Sequence, residues 1–282
     1  MAQLVIYHKN CTDGFVSAVM AYRKLGEKDV KYLPMQYGDD LPNFFNYETV
    51  YILDYSIFPV PANAVMLDHH ATAMAKTGYP DASYYTTPEP FVIIDIMKSG
   101  ARLAQEYFGG DKHWIVDYAE DHDLWRFKLP HSQEIRSGLN LLPRTDIIKN
   151  APAWLAANFD AVHEQGKVIQ LYEQIVVNRI VDSVLDLIIV INDVEIACKM
   201  INSGTLISEV GHQIGERHPN VVACMWFQTG PGTVVVSLRG KNVRAIAEAF
   251  GGGGHDAAAG FKLTDWEQIK QLIHGRLIHY HY

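Results

Sequence analysis

Cysteine is scarce in this 282-residue chain: only Cys11, Cys198 and Cys224 occur, an odd number at wide spacings. Neither a disulfide framework nor a Cys-x-x-Cys metal site follows, and a reducing, cytoplasmic setting is expected. An excess of positive charge is lacking too. Lys and Arg number 24 against 32 Asp and Glu, a formal net charge of −8, which argues against coating long nucleic acid through a broad basic face. A small anion held in a local pocket is compatible with that balance. Long apolar runs are also missing. The most apolar stretch, Ile175 to Ile191, is interrupted by Asn178, Arg179, Asp182 and Asp186, and Met1-Ala2-Gln3 leads into the first apolar run without a basic segment. Neither a membrane span nor a signal peptide is expected. No repeat and no low-complexity tract stands out beyond Gly251 to Gly254.

What is present is the composition of an ordinary globular protein, 48% hydrophobic and 20% charged, long enough for two modest domains. The first half alternates apolar runs with helical patterns. Leu4-Val5-Ile6-Tyr7, Val50-Tyr51-Ile52-Leu53, Ala64-Val65-Met66-Leu67 and Phe91-Val92-Ile93-Ile94 read as strands, with helices over about 13–24 and 99–108. That alternation predicts an α/β fold with a largely parallel sheet covered by helices on both faces. From about Lys112 to Asp186 the pattern is mainly helical. Strand-like runs then return at 187–191, 195–198, 221–225 and 234–238, with a helix over 243–250. The layout expected is a first domain over 1–165, a linker helix over 166–186 and a smaller α/β domain over 187–282.

Three successive apolar runs end in groups able to hold a metal: His8, then Asp54, then Asp68-His69-His70. In open α/β sheets ligands gather beyond the carboxyl ends of the strands, so these side chains are expected to converge. Each has a plain alternative. Asp54 can be a turn residue, Asp13 with Gly14 and Asp68 can be helix-start signals, and adjacent histidines can be a surface accident. Coincidence at three strand ends favours function. Asp121-His122-Asp123 near a helix end reads as a solvated turn on spacing alone. The run Gly251 to Gly254 before His255 is either a flexible turn or a segment whose backbone N–H groups approach a phosphate, with Arg239 at the end of the preceding strand.

With these residues in view the sequence resembles the DHH phosphoesterase superfamily over nearly its whole length. His8 with Asp13-Gly14, Leu53-Asp54, Leu67-Asp68-His69-His70 and Asp121-His122-Asp123-Leu124-Trp125-Arg126 are similar to its four metal motifs. Gly252-Gly253-Gly254-His255 with Ala258-Ala259-Gly260-Phe261 is similar to the signature of its DHH-associated C-terminal domain. The resemblance implies that Asp13, Asp54, His69 and Asp121 hold one ion and that His8 and Asp54 contribute to a second, with Asp54 as the bridge. It further implies that Asp68 steadies the shell, that His70 binds phosphate or assists proton transfer, and that Arg239, His255 and Gly252 to Gly254 seat the substrate. Most members carry Asp where this chain has Cys11. Cys11 is then either a thiolate ligand or a bystander, with the bystander preferred, and Asp123 stands as the rival of Asp121.

The mixed oxygen and nitrogen ligands suit a pair of Mn²⁺ ions, with Mg²⁺, Co²⁺ or Zn²⁺ as alternatives. The expected activity is hydrolysis of phosphodiester bonds in short oligoribonucleotides or dinucleotides by a metal-activated water, as in the nanoRNase-like branch. Rivals are a phosphatase of adenosine bisphosphate, a cyclic (di)nucleotide phosphodiesterase, a pyrophosphatase or polyphosphatase, and a nucleotide-binding regulatory module without catalysis. The expected partner is a small phosphate ester or short oligonucleotide, not long double-stranded nucleic acid or a membrane; a homodimer is left open.

Overall fold

A computed structural model describes residues 2–279. The chain folds as two units, one ending at Gln170 and the other beginning at Leu171. In the first unit the order is β1 (Gln3–His8), α1 (Thr12–Leu25), β2 (Val30–Met35), β3 (Thr49–Leu53), β4 (Ala64–Asp68), α2 (Ala71–Lys76), β5 (Tyr84–Pro88) and β6 (Phe91–Asp95). Helices α3 (Gly100–Phe108), α4 (Trp114–Asp123), α5 (Ser132–Leu139), α6 (Ile147–Leu155) and α7 (Phe159–Val181) follow, the last running across the division.

The sheet has the order β2-β1-β3-β4-β6-β5 and is parallel except for β5 at one edge. The predicted α/β architecture is thus what the chain adopts. Side chains on the central strands alternate between two cores. Val5, Tyr7, Tyr51, Leu53, Val65 and Leu67 pack with α1, α3 and the later helices, whereas Leu4, Ile6, Val50, Ile52 and Met66 pack on the opposite face with Ala73 and Met74 of α2. Burial on both faces is why these strands read as unbroken apolar runs. The sequence reading missed β2 and β5, both edge strands. One contains Lys31 and Pro34 and the other is Tyr-Tyr-Thr-Thr-Pro, compositions that an edge tolerates and a central strand does not.

The second unit contains β7 (Leu185–Ile191), β8 (Val194–Asn202), α8 (Ile207–Arg217), β9 (Val222–Gly230), β10 (Thr233–Arg239), α9 (Val243–Ala249), β11 (Gly253–His255), β12 (Ala258–Leu263), α10 (Trp266–Ile273) and β13 (Arg276–His279). Its mixed sheet runs β11-β12-β10-β9-β8-β7-β13. One face packs against α9 and α10 through Leu238, Ile246, Phe261 and Leu272. The other packs against α8 and the end of α7 through Val177, Val210, Ile214 and Met225. No helix among the described residues is long and apolar enough to cross a membrane.

Within the first unit, α5 and α7 meet backbone to backbone at two glycines. A Cβ on Gly138 would strike the carbonyl oxygen of Val162, and one on Gly166 the carbonyl oxygen of Glu134. Gly166→Ala is therefore expected to force the helices apart and cost about 1–3 kcal/mol. Thermal unfolding should register this as a loss of several degrees; an unchanged midpoint would mean that the helices have room to spare.

Candidate metal centre

Strand β1 lies between β2 and β3, so the order of connection reverses there and the carboxyl ends of β1 and β3 flank a crevice. His8 is the last residue of β1, and Asp54 is the residue after β3. Asp54 is 1% exposed and takes a left-handed backbone conformation, φ 51°. A non-glycine residue held there is costly unless the surroundings enforce it, and such strain concentrates at functional sites. Its Oδ2 lies 3.5 Å from His8 Nδ1 and its Oδ1 lies 3.1 Å from His69 Nε2. Neither oxygen meets a donor in hydrogen-bonding geometry.

Two three-residue groups close around this carboxylate. His8, Asp54 and His70 place potential ligand atoms within 4.8 Å of one another, and so do Asp13, His69 and Asp123. His69 Nε2 joins them, at 3.1 Å from Asp54, 3.4 Å from Asp123 Oδ2 and 3.8 Å from Asp13 Oδ2. Asp13 enters from the first turn of α1. Its carboxylate accepts hydrogen bonds from the N–H groups of Gly100 at 2.6 Å and Ala101 at 3.0 Å, where the positive end of α3 favours negative charge. Asp68 stands behind the group. Its Oδ1 accepts from the backbone N–H of His69 at 2.8 Å and of His70 at 3.3 Å, and lies 2.7 Å from His70 Nδ1. That contact fixes the ring and directs Nε2 away from Asp68, the usual arrangement of an oriented imidazole.

The fourth motif turns out differently from the preference drawn from the sequence. Asp121 is not brought to the cluster: its carboxylate accepts from Lys128 N–H at 2.9 Å, Leu129 N–H at 3.3 Å and Ser132 Oγ at 2.6 Å. It ties the end of α4 to the start of α5. Asp123 takes the place beside His69. Two residues on a helix are separated by roughly 200°, so when one faces the cluster the other cannot.

The electrostatics are those of crowded, buried carboxylates opposed by imidazoles. Burial by itself would raise the Asp54 carboxyl, but the imidazoles of His69 and His8 overcome that and hold it well below the usual carboxylate range. Asp13 is pushed well above that range by burial and by the charges of Asp123 and Asp54. Burial raises Asp123 as well, with His69 opposing. His70 is raised to about 9, because Asp68 outweighs the burial that would lower it. Several carboxylates so placed repel one another at a cost of several kcal/mol each in desolvation, and divalent cations are what commonly balances such a set. Cys11 precedes α1. Burial, then Asp54, Asp123 and Asp13, push its thiol well up.

Sequence reasoning missed two contributors. Gly100 opens α3 beneath the centre, where a Cβ would stand 2.5 Å from Asp54 Cβ and 2.9 Å from Asp13 Oδ2. The Ser99-Gly100 pair at a helix start was the available signal. Tyr37 and Tyr55 stack at 4.4 Å and flank His8 at ring distances of 5.9 and 6.1 Å. A further group of potential ligands, His131, Glu134 and His163, is separate from these motifs.

In the second unit, Arg239 ends β10. Its guanidinium donates to Ser208 Oγ at 3.0 Å and to the Leu238 carbonyl at 2.9 Å, beside Gly211, where a Cβ would lie 2.5 Å from Arg239 Cγ. The glycine run has a packing role. Gly251 and Gly252 donate to the carbonyls of Glu248 and Ala247 and so close α9. A Cβ on Gly252 would strike the Gly260 carbonyl oxygen, and one on Gly254, at φ +141°, would lie 2.6 Å from that of Ala258. Gly253, Gly254 and His255 form the edge strand β11.

Residues 189–275 match the family described as the DHHA1 domain. An uncharacterised protein, R106 of Acanthamoeba polyphaga mimivirus, is 26% identical over 294 aligned residues, covering 93% of this chain and 67% of that protein. Among solved structures, the pGpG-specific phosphodiesterase PggH from Vibrio cholerae is similar with a TM-score of 0.52 at 17% identity, over 97% of each chain. Exonuclease RecJ bound to manganese is similar with a TM-score of 0.50 at 15% identity, covering 96% of this chain and 88% of that one. At these identities the likeness shows the fold.

The two aspartates of α4 should separate cleanly on substitution. Asp123→Asn is expected to weaken Mn²⁺ binding at least about 10-fold, the scale on which changes next to a metal act. Asp121→Asn should instead lower the unfolding temperature, since its carboxylate holds the α4–α5 turn. Titration of both variants with Mn²⁺ checks this, and a larger loss of affinity in Asp121→Asn would reverse the assignment.

Proposed function

We propose that the chain is a DHH-superfamily, two-metal-dependent phosphoesterase hydrolysing phosphodiester bonds in short oligoribonucleotides or linear dinucleotides, a reading supported by the DHHA1 match over residues 189–275. The observation that carries this reading is Asp54, a buried carboxylate with one oxygen toward His8 and the other toward His69. His8 and Asp54 would hold one ion, with His70 beside them; Asp13, His69 and Asp123 would hold the other, with Asp54 shared. A divalent pair so placed supplies an activated water and neutralises charge on the phosphoryl oxygens.

The chain's own residues do the rest. The α3 N-terminus and Gly100 fix the Asp13 carboxylate, and Asp68 orients His70. His70 is placed to grip a phosphate oxygen or to pass a proton to the leaving oxygen through Nε2. Tyr37, 41% exposed and stacked on Tyr55 beside His8, offers a ring face to a base, which favours a nucleotide over pyrophosphate or polyphosphate. A net charge of −8 disfavours long nucleic acid. PggH, whose name gives it a linear dinucleotide as substrate, is a precedent for that substrate class on this fold. In the second unit we assign Arg239, His255 and the Gly252 to Gly254 segment to phosphate binding; Arg239 can give paired charged hydrogen bonds.

The test is product analysis with Mn²⁺ on di- to pentanucleotides, cyclic dinucleotides, adenosine bisphosphate and pyrophosphate. Linear dinucleotides and short oligonucleotides should be cleaved fastest, and with the metal chelated, cleavage should stop. Arg239→Ala should lower kcat/KM by roughly 10- to 200-fold, the worth of a charged hydrogen bond, with Mn²⁺ affinity unchanged. Nucleotide binding without any hydrolysis would identify a regulatory module instead.

A further inference from the structure

His131, Glu134 and His163 stand apart from the four motifs, and each places one potential ligand atom within 4.8 Å of the other two. His131 is the residue before α5 and Glu134 lies in its first turn, so an N-cap and the third helical residue stand side by side. His163 comes from the start of α7, and its ring lies 4.0 Å from that of His131, tilted by 33°. His131 has a left-handed backbone, φ 60°, and its side chain makes no cap to the helix it precedes. Nε2 of His163 is buried and meets no hydrogen-bond partner, a state that is rare for a polar atom unless something else satisfies it. Glu164, the neighbouring acid, is taken up by Lys167 at 2.8 Å, which leaves Glu134 as the carboxylate of the group.

The backbone that carries the three residues is held from several sides, as a binding constellation requires. Around His131, the Asp121 carboxylate binds Lys128 N–H at 2.9 Å and Ser132 Oγ at 2.6 Å, and the Tyr118 hydroxyl donates to the Pro130 carbonyl at 2.7 Å. Helices α5 and α7 meet at Gly138 and Gly166, and the atom that a Cβ on Gly166 would strike is the carbonyl oxygen of Glu134 itself. Gln170 Nε2 adds a bond to Gln133 Oε1 at 3.3 Å. Two imidazoles and one carboxylate are the ligand set of an open zinc site, with a fourth position left for water. Imidazole nitrogen also favours Zn²⁺ over Mn²⁺ or Mg²⁺, in contrast to the carboxylate-rich cluster around Asp54. We propose that His131, Glu134 and His163 form a separate Zn²⁺ site that joins the start of α5 to α7. This inference does not depend on the phosphoesterase reading.

Counting the Zn²⁺ bound by the full chain after equilibrium dialysis against micromolar free Zn²⁺ tests it. His131→Asn, chosen because asparagine tolerates a left-handed backbone, and His163→Gln should each hold one Zn²⁺ fewer than the unaltered chain, with the number of bound Mn²⁺ unchanged. Asp54→Asn should keep the ion that these two variants lose, and Zn²⁺ should raise its thermal midpoint, since a ligand that binds only the folded chain stabilises it. Adding His131→Asn to Asp54→Asn should abolish both the ion and the rise. The two histidine variants are compared with the unaltered chain, so the result stands even where Asp54→Asn does not fold. An equal Zn²⁺ count in the unaltered chain, His131→Asn and His163→Gln would overturn the proposal and leave the two histidines as a ring contact alone. A folded Asp54→Asn chain that holds no Zn²⁺ would overturn it as well.

Discussion

A carboxylate taken out of water needs partners, and Asp54 has been placed where hydrogen-bond donors are not its partners. Its backbone is left-handed, its side chain is buried at the reversal point of the sheet, and its two oxygens face His8 at the end of β1 and His69 just after β4. Satisfying it with cations accounts for the neighbourhood. Asp13 and Asp123 bring further carboxylates to the same place, where burial pushes both carboxyls up and the imidazoles of His69 and His70 are the opposing positive groups.

The local packing follows from the need to hold those carboxylates close. Gly14 lets α1 lie on β1, since a Cβ there would meet the His8 carbonyl oxygen, and Gly100 lets the start of α3 pass directly under Asp54 and Asp13. The α3 N–H groups that would otherwise lack partners are satisfied by the Asp13 carboxylate. One contact thus caps a helix and fixes a candidate metal ligand. Asp68 does the same for the turn after β4, binding two backbone N–H groups and the ring of His70.

Much of this was legible in the chain. Doubly buried strands announce themselves as unbroken apolar runs, and His8, Asp54 and Asp68-His69-His70 stand where those runs stop. Edge strands β2 and β5 did not announce themselves, because an edge position relaxes the demand for apolar, proline-free sequence. Asp121 and Asp123 were not separable because the phase of α4 against the sheet is set by packing of Ile115, Val116 and Ala119, which the local motif does not encode. Gly100 was silent for another reason: it matters through a residue that lies far away in sequence, Asp54. The glycines before His255 were legible as a feature, yet their reason includes the closing of α9 and the close approach of β12, which no linear reading separates from phosphate binding.

The central claim is that one buried carboxylate serves two cations, and counting bound Mn²⁺ tests it most directly. Equilibrium dialysis of the unaltered chain should find about two ions per molecule, and Asp54→Asn should lose both together, because each ion draws on the same side chain. An Asp54→Asn protein that folds and still holds one Mn²⁺ at undiminished affinity would contradict it.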